Sequence, residues 1–352
     1  MPRGRTRASA RRPGRSFALT LVAVIAVALA LLVGYMFVHT RTVHIRFATV
    51  TLEDLPEEFD GTKILFVSDV DLFGANSAAS VNRLFDRLAA LQPDLLLLGG
   101  DYASPSLVER LNAGDGPVSG ATERMVDDRS ALLQTLAGFP APLGKYAVMG
   151  EADVLAESLR LAMQSAGVSL LEDEAALITR GDARIGVVGL GDTGGEVPNL
   201  ISFAERIESD ECVIVLAHNP VAFVGVQTAE AKGGGAWADM MLCGHTHGGQ
   251  IVLGGRTVFQ MSEYEQRYMS GWRREGGVAQ LTSNGLGCTG ANLRLGTEAE
   301  VHLITLKRGT PEDDLPTGSL QLTDPETGAA APVDPAATFS PPNSDASWDF
   351  SG

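Results

Sequence analysis

Five stretches of this chain end an apolar run in side chains able to hold a metal ion. They are Asp69 and Asp71 in SDVD, Asp101 in GGD, Glu151 and Asp153 in GEAD, His218 and Asn219 in AHNP, and His245 and His247 in GHTHGGQ. Carboxylates and imidazoles are the usual side-chain ligands of divalent cations. One aspartate at such a place is an ordinary helix cap or turn residue. Five ends that together carry three of the six histidines point instead to one shared site. His245 and His247 stand at i and i+2 among Gly244, Gly248 and Gly249. Glycine tolerates positive φ and close backbone approach, so both imidazoles can leave one tight turn and serve two adjacent metals.

The elements that must position these residues alternate along the chain. Short apolar runs, KILFVSD, PDLLLLGGD, KYAVMGEAD, ARIGVVGLGD, CVIVLAHNP and ADMMLCGH, read as buried strands. Between them lie helical stretches such as AASVNRLFDRLAAL, with Val81, Leu84, Phe85 and Leu88 on one face. HIRFATVTL, VAQLTSNG and AEVHLITL add strands at the two ends. This order predicts an α/β fold, in which ligand sites gather at the carboxyl ends of strands. The Gly-rich insertion at 103–127 is expected to be a surface loop or small lid.

Charge and composition bound the rest. The formal net charge is −16, and the six arginines of residues 1–15 leave −22 on the remainder. So acidic a body excludes a nucleic-acid scaffold, which needs a basic face. FALTLVAVIAVALALLVGYMFV follows the basic head without a charge and is long enough to span a bilayer. The expected organisation is a basic cytoplasmic segment (1–15), a transmembrane anchor (16–38), a folded domain (45–308) on the outer face and a disordered acidic, Pro-rich tail (309–352). A cleaved signal peptide is the rival to the anchor, but no convincing small-residue cleavage site follows. Cys212, Cys243 and Cys288 show neither metal nor disulfide spacing and are expected to be buried free thiols. His39, His44 and His302 are read as structural. The run FQMSEYEQRYMSGW (259–272) is either a lipid-facing rim or the packing of a surface hairpin.

In order and spacing, SDVD, GGD, GEAD, AHNP and GHTHGGQ resemble the motifs of the calcineurin-like metallophosphoesterases. Those enzymes carry Asp-x-His, Gly-Asp, Gly-Asn-His-Asp/Glu, a lone His and Gly-His-x-His. The late SNGLGCTGANLRLG is similar to an Arg-containing segment of the bacterial membrane-anchored branch. The resemblance implies a sandwich of two β-sheets flanked by helices, and two divalent metal ions. Asp69, Asp71 and His247 would hold one ion, Glu151, His218 and His245 the other, and Asp101 would bridge them. Such a pair polarises phosphoryl oxygens and supplies hydroxide for in-line attack.

Three positions depart from the family's pattern. Asp71 and Glu151 stand where the family has His and Asn, and Ala152 stands where it has the His that assists the leaving group. The first two exchange one metal-capable group for another. Their oxygen-rich set favours Mn²⁺ or Mg²⁺ over Zn²⁺. Ala152 is a loss, and no residue is assigned as the catalytic acid. Asp153 beside it is either a helix N-cap or a replacement acid. Two functions are therefore carried forward: a membrane-anchored hydrolase of a lipid-linked or nucleotide-linked phosphoester, and a metal-binding pseudoenzyme that binds a phosphorylated ligand or partner without turnover. Oligomeric state is not legible.

Overall fold

The computed structural model describes residues 13–73, 76–106, 123–153, 156–311, 317–322 and 347–348, with Glu109 and Leu111 besides. Most of the 103–127 insertion therefore lies outside the described residues. Helix α1 (Pro13–His39) leads through a short turn into strand β1 (Val43–Leu52). Then come β2 (Lys63–Val67), α2 (Ala78–Ala89), β3 (Leu95–Leu98), α3 (Glu123–Gly138), β4 (Lys145–Ala147), α4 (Ala156–Ser165), β5 (Ser169–Leu170), β6 (Glu174–Arg180) and β7 (Ala183–Gly189). The second half runs α5 (Ile201–Ala204), β8 (Val213–Leu216), α6 (Ala222–Thr228), β9 (Met240–Cys243), β10 (Val252–Leu253), β11 (Arg256–Thr257), α7 (Glu263–Arg267), β12 (Gly271–Glu275), β13 (Val278–Thr282) and β14 (Ala299–Arg308). Within the expected tail, β15 (Thr317–Leu322) and β16 (Ser347–Trp348) are strands, and β15 pairs antiparallel with β1. The outer edge of β1 offers unpaired backbone groups, which a strand added there satisfies.

Two main sheets form, in the orders β16-β15-β1-β14-β2-β3-β4-β5 and β12-β13-β9-β8-β7-β6, and β10 pairs with β11 apart from both. Alternation of side chains decides which layer each strand residue enters. Leu95 and Leu97 pack between the sheets with Ile64, Phe66, Ile214, Leu216 and Leu242. Leu96 and Leu98 face the other way, toward Val81, Phe85 and Leu88 of α2 and Leu132 and Leu136 of α3. On the far side of the second sheet, Val213, Val215 and Met241 meet Phe223 and Val226 of α6. Both sheets are covered on both faces, which is why their central strands read as unbroken apolar runs. The result is a two-sheet α/β sandwich with helices on its outer faces.

Helix α2 shows how directly the sequence builds these layers. Its four expected core residues are all buried, and Ser77 caps its start by accepting a hydrogen bond from the Ser80 amide. Strands β2, β3 and β4 are mutually parallel, as are β7, β8 and β9. Parallel strands point their carboxyl ends one way, so the loops after β2, β3, β4, β8 and β9 gather at one edge of the sandwich.

Candidate metal centre

Those loops bring all seven expected ligands together. Asp69 and Asp71 follow β2, Asp101 follows β3, and Glu151 follows β4, so the first sheet supplies every carboxylate. His218 follows β8, and His245 and His247 follow β9, so the second sheet supplies every imidazole. The residues form three overlapping groups whose ligand atoms lie within 4.8 Å of one another: Glu151, His218 and His245; Asp69, Asp101 and His218; and Asp69, Asp71 and His247. Glu151 Oε2 lies 2.6 Å from His218 Nε2 and 2.9 Å from His245 Nδ1. His247 Nε2 lies 3.4 Å from Asp71 Oδ2 and 3.7 Å from Asp69 Oδ1. Asp101 Oδ2 is 3.6 Å from His218 Nε2.

The donor set fits a cation. Asp69 Oδ2, Asp71 Oδ2 and His247 Nδ1 are buried without a hydrogen-bond partner, a costly state for polar atoms unless something else compensates them. His218 Nδ1 lies 2.7 Å from the Gly99 carbonyl, which only accepts. Nδ1 therefore carries a proton, and Nε2 is the nitrogen turned to the carboxylates. Backbone strain marks the same residues. Asp69, Asp71, Asp101, His245 and His247 have φ of 51°, 44°, 54°, 72° and 51°. Side-chain-bearing residues avoid this left-handed region, and such strain clusters at functional sites.

Crowded carboxylates set the electrostatics. Burial pushes Asp101 up to about 8, reinforced by Glu151, Asp153 and Asp69 and opposed by His218. Burial, with Asp101 and Asp69 beside it, also raises Asp71, whose Oδ1 accepts a hydrogen bond from the Ser104 hydroxyl. Burial disfavours charge on His245, but hydrogen bonds that its ring donates to the Glu151 and Glu265 carboxylates override it and lift the imidazole to about 10. His247 is pushed down to about 4 by burial, against the pull of Asp69.

Neighbouring residues hold this geometry, and most were not legible beforehand. Asp153 is not an available acid, and its expected role as a helix cap falls on a junction, 154–155, outside the described residues. Its side chain is fully buried and accepts from the amides of Asp101 (2.7 Å), Gly150 (3.0 Å) and Tyr102 (3.1 Å), with Arg129 at 3.5 Å. Ala152 offers only its backbone: its amide donates to Asp101 Oδ1 at 2.9 Å and its carbonyl accepts from Arg129 at 2.9 Å. A Cβ on Gly150 would lie 2.3 Å from Asp101 Oδ1, so only glycine fits there. Glu265 lies at 3.0 Å from His245 Nε2 while also completing a capping box with Ser262 at the start of α7. The sole available signal was the Ser-x-x-Glu spacing inside 259–272, which marks a helix start and not a site. Arg294 is fully buried and donates to the carbonyls of His247, Asn284, Gly285 and Gly287, binding the His247 loop to the late SNGLG loop.

The family model described as calcineurin-like phosphoesterase matches residues 62–249, more than half of the chain and all seven of these residues. The chain belongs to that family. Among curated relatives, the Bacillus subtilis protein YpbG is 24% identical over 81% of this chain and 96% of its own length. The Escherichia coli phosphodiesterase YaeI is 28% identical over 69% of this chain and 82% of its own length. A dimetal phosphatase of known structure from Danio rerio is similar at 10% identity and a TM-score of 0.37, over 64% of this chain and 88% of that one. Calcineurin-like phosphoesterases use divalent metals, and this member keeps several groups able to bind them. It also carries one helix, Phe17–His39, long and apolar enough to cross a membrane.

Proposed function

We propose that this chain is a membrane-anchored, metal-dependent phosphoester hydrolase. The observation that carries the reading is the convergence of seven ligand-type side chains, five of them on strained backbone, with orphaned carboxylate oxygens among them. Asp69, Asp71 and His247 would hold one divalent ion and Glu151, His218 and His245 a second, with Asp101 as a ligand shared by both. When bound, the two ions supply Lewis acidity and a water of lowered pKa. Four carboxylates against three imidazoles favour Mn²⁺ or Mg²⁺ over Zn²⁺.

The chain's own groups set what can be cleaved. Ala152 has no proton to give and Asp153 is committed to the amides of its own loops, so no side chain is assigned to protonate the leaving group. A missing positioned acid typically costs about 10²–10⁴ in rate, and least for a leaving group that departs as a stable anion. That favours activated diesters and pyrophosphate-type linkages, with a lipid-linked or nucleotide-linked phosphoester as the substrate class. The name of the E. coli relative, a phosphodiesterase, points to the same choice. The arginines at 3–15 support a cytoplasmic N-terminus, with the 45–308 domain outside.

The test is metal analysis of the purified full chain, with turnover of an aryl phosphodiester in Mn²⁺, Mg²⁺ and Zn²⁺. Turnover in Mn²⁺ or Mg²⁺ that Asp101→Ala abolishes is the expected result. Bound metal without turnover would turn the reading into that of a ligand-binding pseudoenzyme. Absence of both would overturn the site.

A further inference from the structure

The segment after the GHTHGGQ loop carries large apolar side chains that the fold does not cover. Leu253 is 59% exposed, Val258 59%, Phe259 43% and Tyr264 43%. Leu253 stands at the tip of the β10–β11 hairpin, whose turn residues Gly254 and Gly255 have φ of 58° and 78°, the paired positive angles of a tight type I′ turn. Arg256 beside them is exposed. A soluble surface scatters single apolar residues, whereas a contiguous exposed group marks a contact.

The backbone says what lies against it. The Arg294 amide donates to the Met36 carbonyl of α1 at 3.4 Å. The next residue, Leu295, accepts from Val252 of the hairpin at 2.7 Å and donates to Gln250 at 3.0 Å. Hydrogen-bonded chains lie roughly 5 Å apart, so the hairpin sits two such steps from α1. Met36 is three residues, about 4.5 Å of helix, before the end of the apolar span Phe17–His39. In a span of that length this is the level where hydrocarbon gives way to headgroups. The base of the hairpin therefore lies near the level at which α1 leaves its apolar span, and its uncovered apolar tip and Arg256 are of the kind that an interface accepts.

We propose that the β10–β11 hairpin and the Val258–Phe259 segment are a membrane-docking lip that inserts into the leaflet from which α1 emerges. The lip begins directly after His247 and Gln250, so docking holds the mouth of the site against the headgroup layer and selects a phosphoester carried by a membrane lipid. This rests on the anchored-hydrolase reading above.

The test uses the full chain in nanodiscs of phosphatidylcholine and phosphatidylglycerol. Leu253→Cys and Phe259→Cys are each labelled with an environment-sensitive fluorophore, the native cysteines all being buried. Leu177→Cys, at a 63% exposed site on β6, serves as the water-facing control. Expected is a blue-shifted emission at 253 and 259, quenched by nitroxide lipids and shielded from aqueous iodide, with the reverse at 177. Adding Leu253→Asp should return the label at 259 to water. Labels as iodide-accessible as the control overturn the proposal. So do labels shielded from both quenchers, which would mean that another copy of the protein covers the patch. These readings require no turnover, so failure of the hydrolase reading and failure of the lip are separable.

Discussion

Glu265 and Asp101 show how single side chains tune the site. Glu265 approaches His245 Nε2 while Glu151 approaches Nδ1, so the ring is gripped at both nitrogens. A partner carboxylate of this kind orients a metal-binding imidazole and raises its basicity. Glu265→Gln keeps an acceptor for the Ser262 amide, and with it the capping box, but removes the charge beside His245. The expected result is metal affinity lower by about 10–100-fold with little change in thermal unfolding of the metal-free protein, read by calorimetry. Asp101 predicts a pH effect. Its folded-state pKa is about 8, raised from 3.8 chiefly by burial, so its protonated form stabilises the fold fully below about 4, and that contribution is lost as pH climbs through 8. His245, raised to about 10 from 6.5, adds stability that is lost between those values. The metal-free protein should therefore melt at progressively lower temperature from pH 6.5 to 9. Mn²⁺ should remove that decline, because deprotonated ligands bind metal best. A flat melting curve without metal would contradict the assignment.

At the scale of elements, the loop after β4 is where the sequence showed least of what a side chain touches. A strand tip followed by Asp and a helix looks the same whether the Asp caps that helix or turns back into the core. The difference lies in Arg129 and in the Asp101 and Tyr102 amides, which only tertiary folding brings near. Asp153→Ala should leave three amides without their acceptor and remove the carboxylate beside Arg129, at about 1–3 kcal/mol for an unsatisfied group. A fall in stability of that size or more, with weakened metal binding, is expected in denaturant titrations. The strands and their polar tips were legible because buried parallel strands are continuous apolar runs and their ends are chemically conspicuous. Glu265 was not, since its path to His245 depends on how the chain returns after the β10–β11 hairpin. Strand β15 was not, since a Pro- and Asp-rich segment gives little sign of pairing with a distant edge. The amphipathic stretch NLISFAERIES forms only the short helix Ile201–Ala204.

Over the whole molecule, charge is the governing quantity. Two divalent ions bound among the four carboxylates of the site would have their charge cancelled, leaving a centre near neutrality. A neutral centre attracts phosphate less and acidifies bound water less. Activity should therefore peak at higher pH than in family members with His and Asn at the positions of Asp71 and Glu151. Matched pH–rate profiles on one aryl diester check this, and an optimum at or below theirs would count against it. The body's −22, once the N-terminal arginines are set aside, works in the same direction by repelling anionic substrates in free solution. A substrate confined to a membrane arrives by lateral diffusion and needs no such long-range attraction.

The division of ligands between the sheets has a mechanical meaning. Every acid stands on one sheet and every imidazole on the other, so an ion bound at either position would tie together two layers that apolar packing and cross-layer hydrogen bonds such as His218 Nδ1 to the Gly99 carbonyl already join. Such an ion behaves as a rivet. It cannot be released with its full ligand set intact unless the layers part, and the layers cannot part without surrendering it. Binding of an ion and closure of the sandwich would then be thermodynamically coupled, so that whatever loosens one weakens the other.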